Sequence, residues 1–147
     1  MKWLRLSALA GLLGAAALSC SAPFDVESVF EDLELVPEIA ADGTAELRIV
    51  NGTSHGVRAT LSCGPPVHRY EDGNWERVPF HGVCSGVLSH RHIGPGDTYV
   101  IPAGNIADWE PGKYRFFNHL VWQEEFGGPV TPLPEPLLVS ESFQVGG

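Results

Sequence analysis

From residue 33 to residue 145 apolar and polar positions alternate in short runs, and turn residues cut these runs every 8 to 15 positions. A period of two sends successive side chains to opposite faces of a strand, so each run reads as a strand with one buried face. Leu33 and Leu35 open the series and Asp42-Gly43 turns it. Ala45, Leu47 and Ile49 then point one way while Glu46 and Arg48 point the other. Asp-Gly suits a type I′ turn, which predicts a hairpin here, and Asn51-Gly52 ends its second strand. Asn51-Gly52-Thr53 also has the form of a glycosylation acceptor, but a turn is the simpler reading. Val57, Ala59 and Leu61 continue on one face towards Cys63. A second hairpin is predicted from 67–71 through Asp72-Gly73 to 74–80, with later strands over 98–101, 113–121 and 137–145. No segment beyond the first twenty residues sustains a 3.6-residue period. Seven to nine strands without a helix predict an all-β antiparallel sandwich.

The first twenty residues follow a different pattern. Lys2 and Arg5 make a cationic start, and the 13 residues from Leu6 to Leu18 carry no charge. That stretch has the length of a signal h-region and is shorter than the roughly 20 apolar residues a spanning helix needs. It ends in Ala17-Leu18-Ser19-Cys20, which resembles the lipobox of bacterial lipoproteins, with Ala17 and Leu18 exchanged relative to the usual order. The resemblance implies cleavage before Cys20, a diacylglycerol-bearing cysteine, and attachment to the membrane through lipid. An ordinary secretory cut after Ala17 or Ala22 is the alternative. Ser21 beside the lipidated cysteine looks, in families of this type, like passage to the outer membrane. The expected layout is signal peptide 1–19, lipidated tether 20–29 and one domain over 30–147.

Charge narrows the partners. From Cys20 onward 128 residues remain, with 7 basic against 18 acidic side chains and a formal charge of −11. One core is expected at this length. Nucleic acid is disfavoured, because its binding rests on clustered Lys and Arg, and anionic headgroups should repel the domain within a Debye length. With Cys20 assigned to lipid, Cys63 and Cys84 remain. Two cysteines in an exported chain read as a disulfide. It would close a loop of 22 residues, worth about 3 kcal/mol in the chain-entropy model.

The run Glu110-Pro111-Gly112-Lys113-Tyr114-Arg115-Phe116 resembles the acidic-x-Gly-x-Tyr-x-Cys opening of strand F in immunoglobulin domains, with Phe116 in the place of the cysteine. Together with Asp72-Gly73-Asn74-Trp75 and Cys84 it also resembles small immunoglobulin-like domains of exported bacterial lipoproteins. The resemblance implies an immunoglobulin-like β-sandwich over about 30–145, in which the Tyr114 hydroxyl bonds back to upstream backbone. It carries no catalytic residues with it. Cys63 and Cys84 lie closer in sequence than the sheet-pinning pair of antibody domains, so their bond reads as a clip on a hairpin and its following loop.

Chemistry-bearing patterns are sparse. His90 and His92 fall on one face of a strand, and Gly96 to Gly104 matches half of a cupin metal motif. The third histidine of that family would fall at position 107, which is Ala107, and two imidazoles make at best a weak metal site. Solvated loop histidines are the better account, with Pro102-Ala103-Gly104 as the turn ending a strand. The chain holds no Gly-x-Ser-x-Gly elbow, His-Glu-x-x-His motif, phosphate loop or calcium loop. Neither an enzyme nor a cofactor or metal is expected, and a cupin-like metal enzyme using His90 and His92 is the alternative from another class.

The most suggestive segment is 122–136. It holds Trp122, Phe126, Val130 and Leu133 among glycines and four prolines. A connection of about fourteen residues without strand character is uncommon in a compact domain and often functional. It is either an exposed binding loop or a cap folded over the open end of the sandwich. Trp75 and Trp109 read as core or corner residues. The sequence thus predicts a lipid-anchored, non-enzymatic module of the cell envelope that binds a protein or envelope component through end loops. A proteinase inhibitor with 122–136 as its reactive segment is the runner-up.

Overall fold

The computed structural model describes residues 25–61, 63–79 and 88–146. The expected signal peptide, the lipidation of Cys20, and Cys84 with its bond to Cys63 lie outside these residues. Among the described residues no helix is long and apolar enough to cross a membrane.

Among the described residues the alternating runs form eleven short strands: β1 (Leu33–Ile39), β2 (Thr44–Asn51), β3 (Val57–Leu61), β4 (Val67–Glu71), β5 (Asn74–Val78), β6 (Ser89–Ile93), β7 (Thr98–Asn105), β8 (Gly112–Phe116), β9 (Leu120–Trp122), β10 (Thr131–Pro132) and β11 (Phe143–Val145). All pairings are antiparallel, in the orders β1-β2-β7, β10-β9-β3-β6 and β11-β8-β4-β5. The last two ladders are halves of one bent layer. β3 pairs with β9 and β4 with β8, and between these ladders Thr60 N–H bonds to His119 C=O and Phe117 N–H to Pro66 C=O. At the bend Asn118 is 1% exposed, and its amide both accepts from Thr60 N–H and donates to Thr60 C=O. The chain is therefore an immunoglobulin-like sandwich of β1-β2-β7 over the bent layer. A single core joins Leu35, Leu47, Ile49, Val57, Phe116 and Leu120 from both. Each such side chain, when fully buried, contributes about 1.5–3 kcal/mol.

The expected tyrosine corner is present. Tyr114 is buried and its hydroxyl donates to Glu110 C=O at 2.8 Å, with Trp109 packed on its ring.

Several expectations need correction. The strand expected over 113–121 is two strands, β8 and β9, because Asn118 takes over the backbone pairing of Thr60 at the bend. The run 137–145 is a 3-10 turn, Glu135–Leu138, followed by β11, since Pro136 sits where it can start a helical turn. Pro102-Ala103-Gly104 does not end a strand. It lies within β7, where the register with β2 slips past Ala103 and Gly104 sits at φ +87°. This bulge and the edge position of β7 accommodate a proline without losing a ladder bond. The type I′ geometry belongs to Asp72-Gly73, both at positive φ (49° and 89°), in the two-residue turn of the β4–β5 hairpin. Asp42 instead sits in a four-residue turn closed by Gly43 at φ +84°, with its carboxylate accepting from Thr44 N–H. Trp75 is half-buried on the outer face of the bent layer, outside the core. Lastly, a helical turn α1 (Val26–Val29), capped by the Asp25 side chain, occupies part of the expected tether, and Phe30 after it is fully buried.

Candidate functional site

The segment after β9 doubles back as β10, with Thr131 opposite Trp122 and Pro132 opposite Val121. It is thus a hairpin at the sheet edge, and the strandless connection expected over 122–136 contains a short strand. Its four singled-out residues divide. Leu133 is 5% exposed and joins the core, and Trp122 is half-buried, whereas Phe126 and Val130 are 79% and 44% exposed.

What holds the hairpin is a set of contacts from sequence-distant elements. The carboxylate of Glu124 takes the Trp122 indole N–H at 2.7 Å, the Gly56 backbone N–H at 3.2 Å and His55 Nδ1 at 2.5 Å. These donors, His55 foremost, hold the Glu124 carboxyl below its ordinary range. Beneath them the rings of Phe30, His55 and Trp122 meet edge to face or tilted, at centroid distances of 5.1 to 5.8 Å, a favoured arrangement for aromatic groups. The loop also braces itself. Gln123 is 2% exposed and donates through Nε2 to Gly128 C=O, while Gly128 N–H closes a turn onto Glu125 C=O with Gly127 at φ +84°.

Gly56, just before β3, passes under this loop. Gln123 N–H donates to its carbonyl at 3.0 Å. A Cβ at position 56 would stand 2.5 Å from Gln123 O, 2.6 Å from His92 Nε2 and 3.0 Å from Glu124 O. No side chain fits there without moving the partner backbone. The platform under Gly56 is fixed in turn by Asn51. This fully buried amide donates to the carbonyls of His55, Ile93 and Gly94 and accepts from Thr53 N–H and hydroxyl. The Asn51-Gly52-Thr53 triplet is thereby a structural knot with its amide nitrogen occupied.

His90 and His92 lie on edge strand β6, not in a loop. His90 is exposed. His92 is half-buried and bonds through Nε2 to Gln123 C=O at 2.9 Å, so it is not a solvated histidine but another brace of the hairpin. Among the described residues no group of three or more His, Cys, Asp and Glu is placed to hold a metal ion.

Between the arms of the hairpin lies an open cleft of about 330 Å³ lined by Trp122, Glu124, Glu125, Gly128, Pro129 and Thr131. The arrangement offers a preset surface: an apolar tip at Phe126 and Val130, a mainly apolar cleft beside it, and Glu124 and Glu125 on its wall. The sequence pointed to Trp122 and Phe126 through aromatic and proline content. It gave no sign of Phe30, His55, Gly56 or Glu124, because His55 and Glu124 are 69 positions apart and meet only when β3 and β9 pair.

No protein-family model matches the chain, and no curated protein matches it. Among solved structures, the ASH / PapD-like domain of human CEP192 (PapD-like domain 7) aligns over 98% of this chain and 93% of its own, with 17% identity and a TM-score of 0.28. The sandwich assignment rests on the strand ladders themselves.

Proposed function

We propose that the chain is a lipid-anchored, non-enzymatic module of the cell envelope that recognises a protein or envelope component through the 123–130 hairpin tip. The observation that carries this reading is the contrast within the loop. Its base is locked by Glu124, Gln123 and Gly56, yet Phe126 is 79% exposed at its apex. An exposed aromatic on a rigid support loses little conformational entropy on binding, which is how interface anchors reach useful affinity. Glu124 and His55 are engaged with each other and with Trp122 and Gly56, and His92 with Gln123 C=O, which favours a bracing role for these groups.

Lipidation at Cys20 rests on the lipobox-like Ala17-Leu18-Ser19-Cys20 run. On this reading the tether is short. Five residue steps separate Cys20 from the Asp25 cap of α1, and at roughly 3.4 Å each they span at most about 17 Å. The contact of Phe30, the first core residue after the proposed tether, with Trp122 supports an anchor on the same end of the sandwich as the recognition loop. The partner is therefore sought at or near the membrane surface.

The test is a photoreactive amino acid at position 126 in living cells. A discrete crosslinked product, lost when the group is moved to exposed Ile39, is the expected result. Smears identical from both positions reject the loop. A Cys20→Ser variant loses its lipid mass and leaves the membrane fraction if the anchor is as proposed.

A further inference from the structure

The outward side chains of β4, β5 and β8 gather a charge that the chain as a whole lacks. Nine Lys and Arg face 18 Asp and Glu in the sequence, yet Arg77, Lys113 and Arg115 share this face with His68, Tyr70 and Trp75. The register explains the gathering. Tyr70 lies opposite Trp75, and His68 lies opposite both Arg77 and Arg115. Alternation sends Tyr114 and Phe116 into the core and leaves Lys113 and Arg115 outside. Arg115 Cζ lies 4.5 Å from the Trp75 ring centroid, and Lys113 Nζ lies 5.7 Å from that of Tyr70 and 5.9 Å from that of Trp75. Tyr70 is 45% exposed. The positive field is felt by His68, whose imidazole is held below its usual value by burial and then by Arg115 and Arg77. Among the described residues the carboxylate that reaches these cations is Glu135, 3.4 Å from Arg115 and itself exposed.

The patch runs across β8 and β4 to β5, the last strand of its ladder. A peptide strand added by main-chain bonding at the free edge of β5 would lie in the plane of the sheet and leave the Tyr70 and Trp75 rings on the face uncovered. A nucleic acid, with one charge per about 1.7 Å of duplex axis, sets more charge against the chain's net −9 than the three cations of this face offset. An acidic pyranose chain, with at most one carboxylate on each sugar ring, meets less repulsion. Its C–H face lies flat on an aromatic ring, and its acid groups take Arg and Lys side chains directly.

We propose that this face binds an acidic polysaccharide, a sugar ring resting on Tyr70 beside Trp75 and its carboxylates pairing with Arg77 and Lys113. Arg115, already laid over Trp75, keeps that ring in place and is a positioning residue. The site is separate from the hairpin tip, so its fate does not depend on that reading.

Affinity electrophoresis of the full-length chain in detergent micelles tests it, with polygalacturonate in the gel. Retardation of the wild type is expected, weakened at least tenfold in Tyr70→Ala and in the double variant Arg77→Gln/Lys113→Gln, with circular dichroism unchanged. Neutral dextran should give no retardation. The proposal is overturned if polygalacturonate does not retard the wild type, if Tyr70→Ala binds as well as the wild type, or if polyglutamate binds as tightly. Tighter binding of an oligothymidylate also overturns it and gives the face to nucleic acid.

Discussion

Replacing Gly56 by alanine adds one methyl group where the chain entering β3 passes beneath the 123–130 loop. That methyl would stand 2.5 Å from Gln123 O and 3.0 Å from Glu124 O, both backbone atoms, and 2.6 Å from His92 Nε2. Backbone atoms held by their own hydrogen bonds cannot swing aside as a side-chain end does, so the loop must lift. Overpacking of this kind costs about 1–3 kcal/mol. Lifting also strains three hydrogen bonds: Gln123 N–H to Gly56 C=O, Gly56 N–H to Glu124, and His92 to Gln123 C=O. At about 0.5–1.5 kcal/mol for each bond lost, with partial loss of the set, the total is about 2–4 kcal/mol. That is a large share of the 5–15 kcal/mol typical of a domain. Urea unfolding followed by tryptophan fluorescence should show the midpoint falling by about 1–2 M at unchanged slope. Gly94→Ala is the control, because the nearest atom to its added methyl is the movable carboxylate oxygen of Asp97 at 3.0 Å, and its midpoint should stay close to wild type. A Gly56→Ala midpoint within about 0.3 M of wild type would refute the reasoning.

Three further outcomes follow from the same geometry. Tyr114→Phe removes the corner bond to Glu110 C=O and should cost about 0.5–1.5 kcal/mol in the same urea assay. Asn51→Ala strips a buried knot of donors from three carbonyls and should cost about 2–4 kcal/mol, visible as a fall in melting temperature. For pH, the folded carboxyl of Glu124 sits below its ordinary value of 4.5 because of the bonds from His55, Trp122 and Gly56, so its bracing is fully present above that value and is lost as pH falls through the lower folded pKa. Trp122 emission should hold constant down to about pH 4.5 and change below it, and Glu124→Gln should remove that step.

The elements that were legible in the sequence are those decided locally. Alternation placed Ala45, Leu47 and Ile49 inward because one side of β2 faces the core and the other faces water. The Tyr114 corner was legible because its partner Glu110 is four residues away. Features decided by distant pairing were not. The break between β8 and β9 depends on Asn118 meeting Thr60, 58 positions earlier. The same holds at the site. Aromatic content marked Trp122 and Phe126, but one side chain is held and the other is free because of contacts with Phe30 and His55 that no local pattern announces. The α1 turn was also missed, since four residues are too few to show a helical period.

The central claim is that a rigid base presents a bare aromatic tip, and native-state hydrogen exchange resolved to single amides addresses it most directly. The amides of Gln123 and Gly128, bonded to Gly56 and Glu125, should exchange orders of magnitude more slowly than that of Phe126 between them. Uniformly fast exchange from 123 to 128 would mean a loop without a fixed shape and would contradict the account.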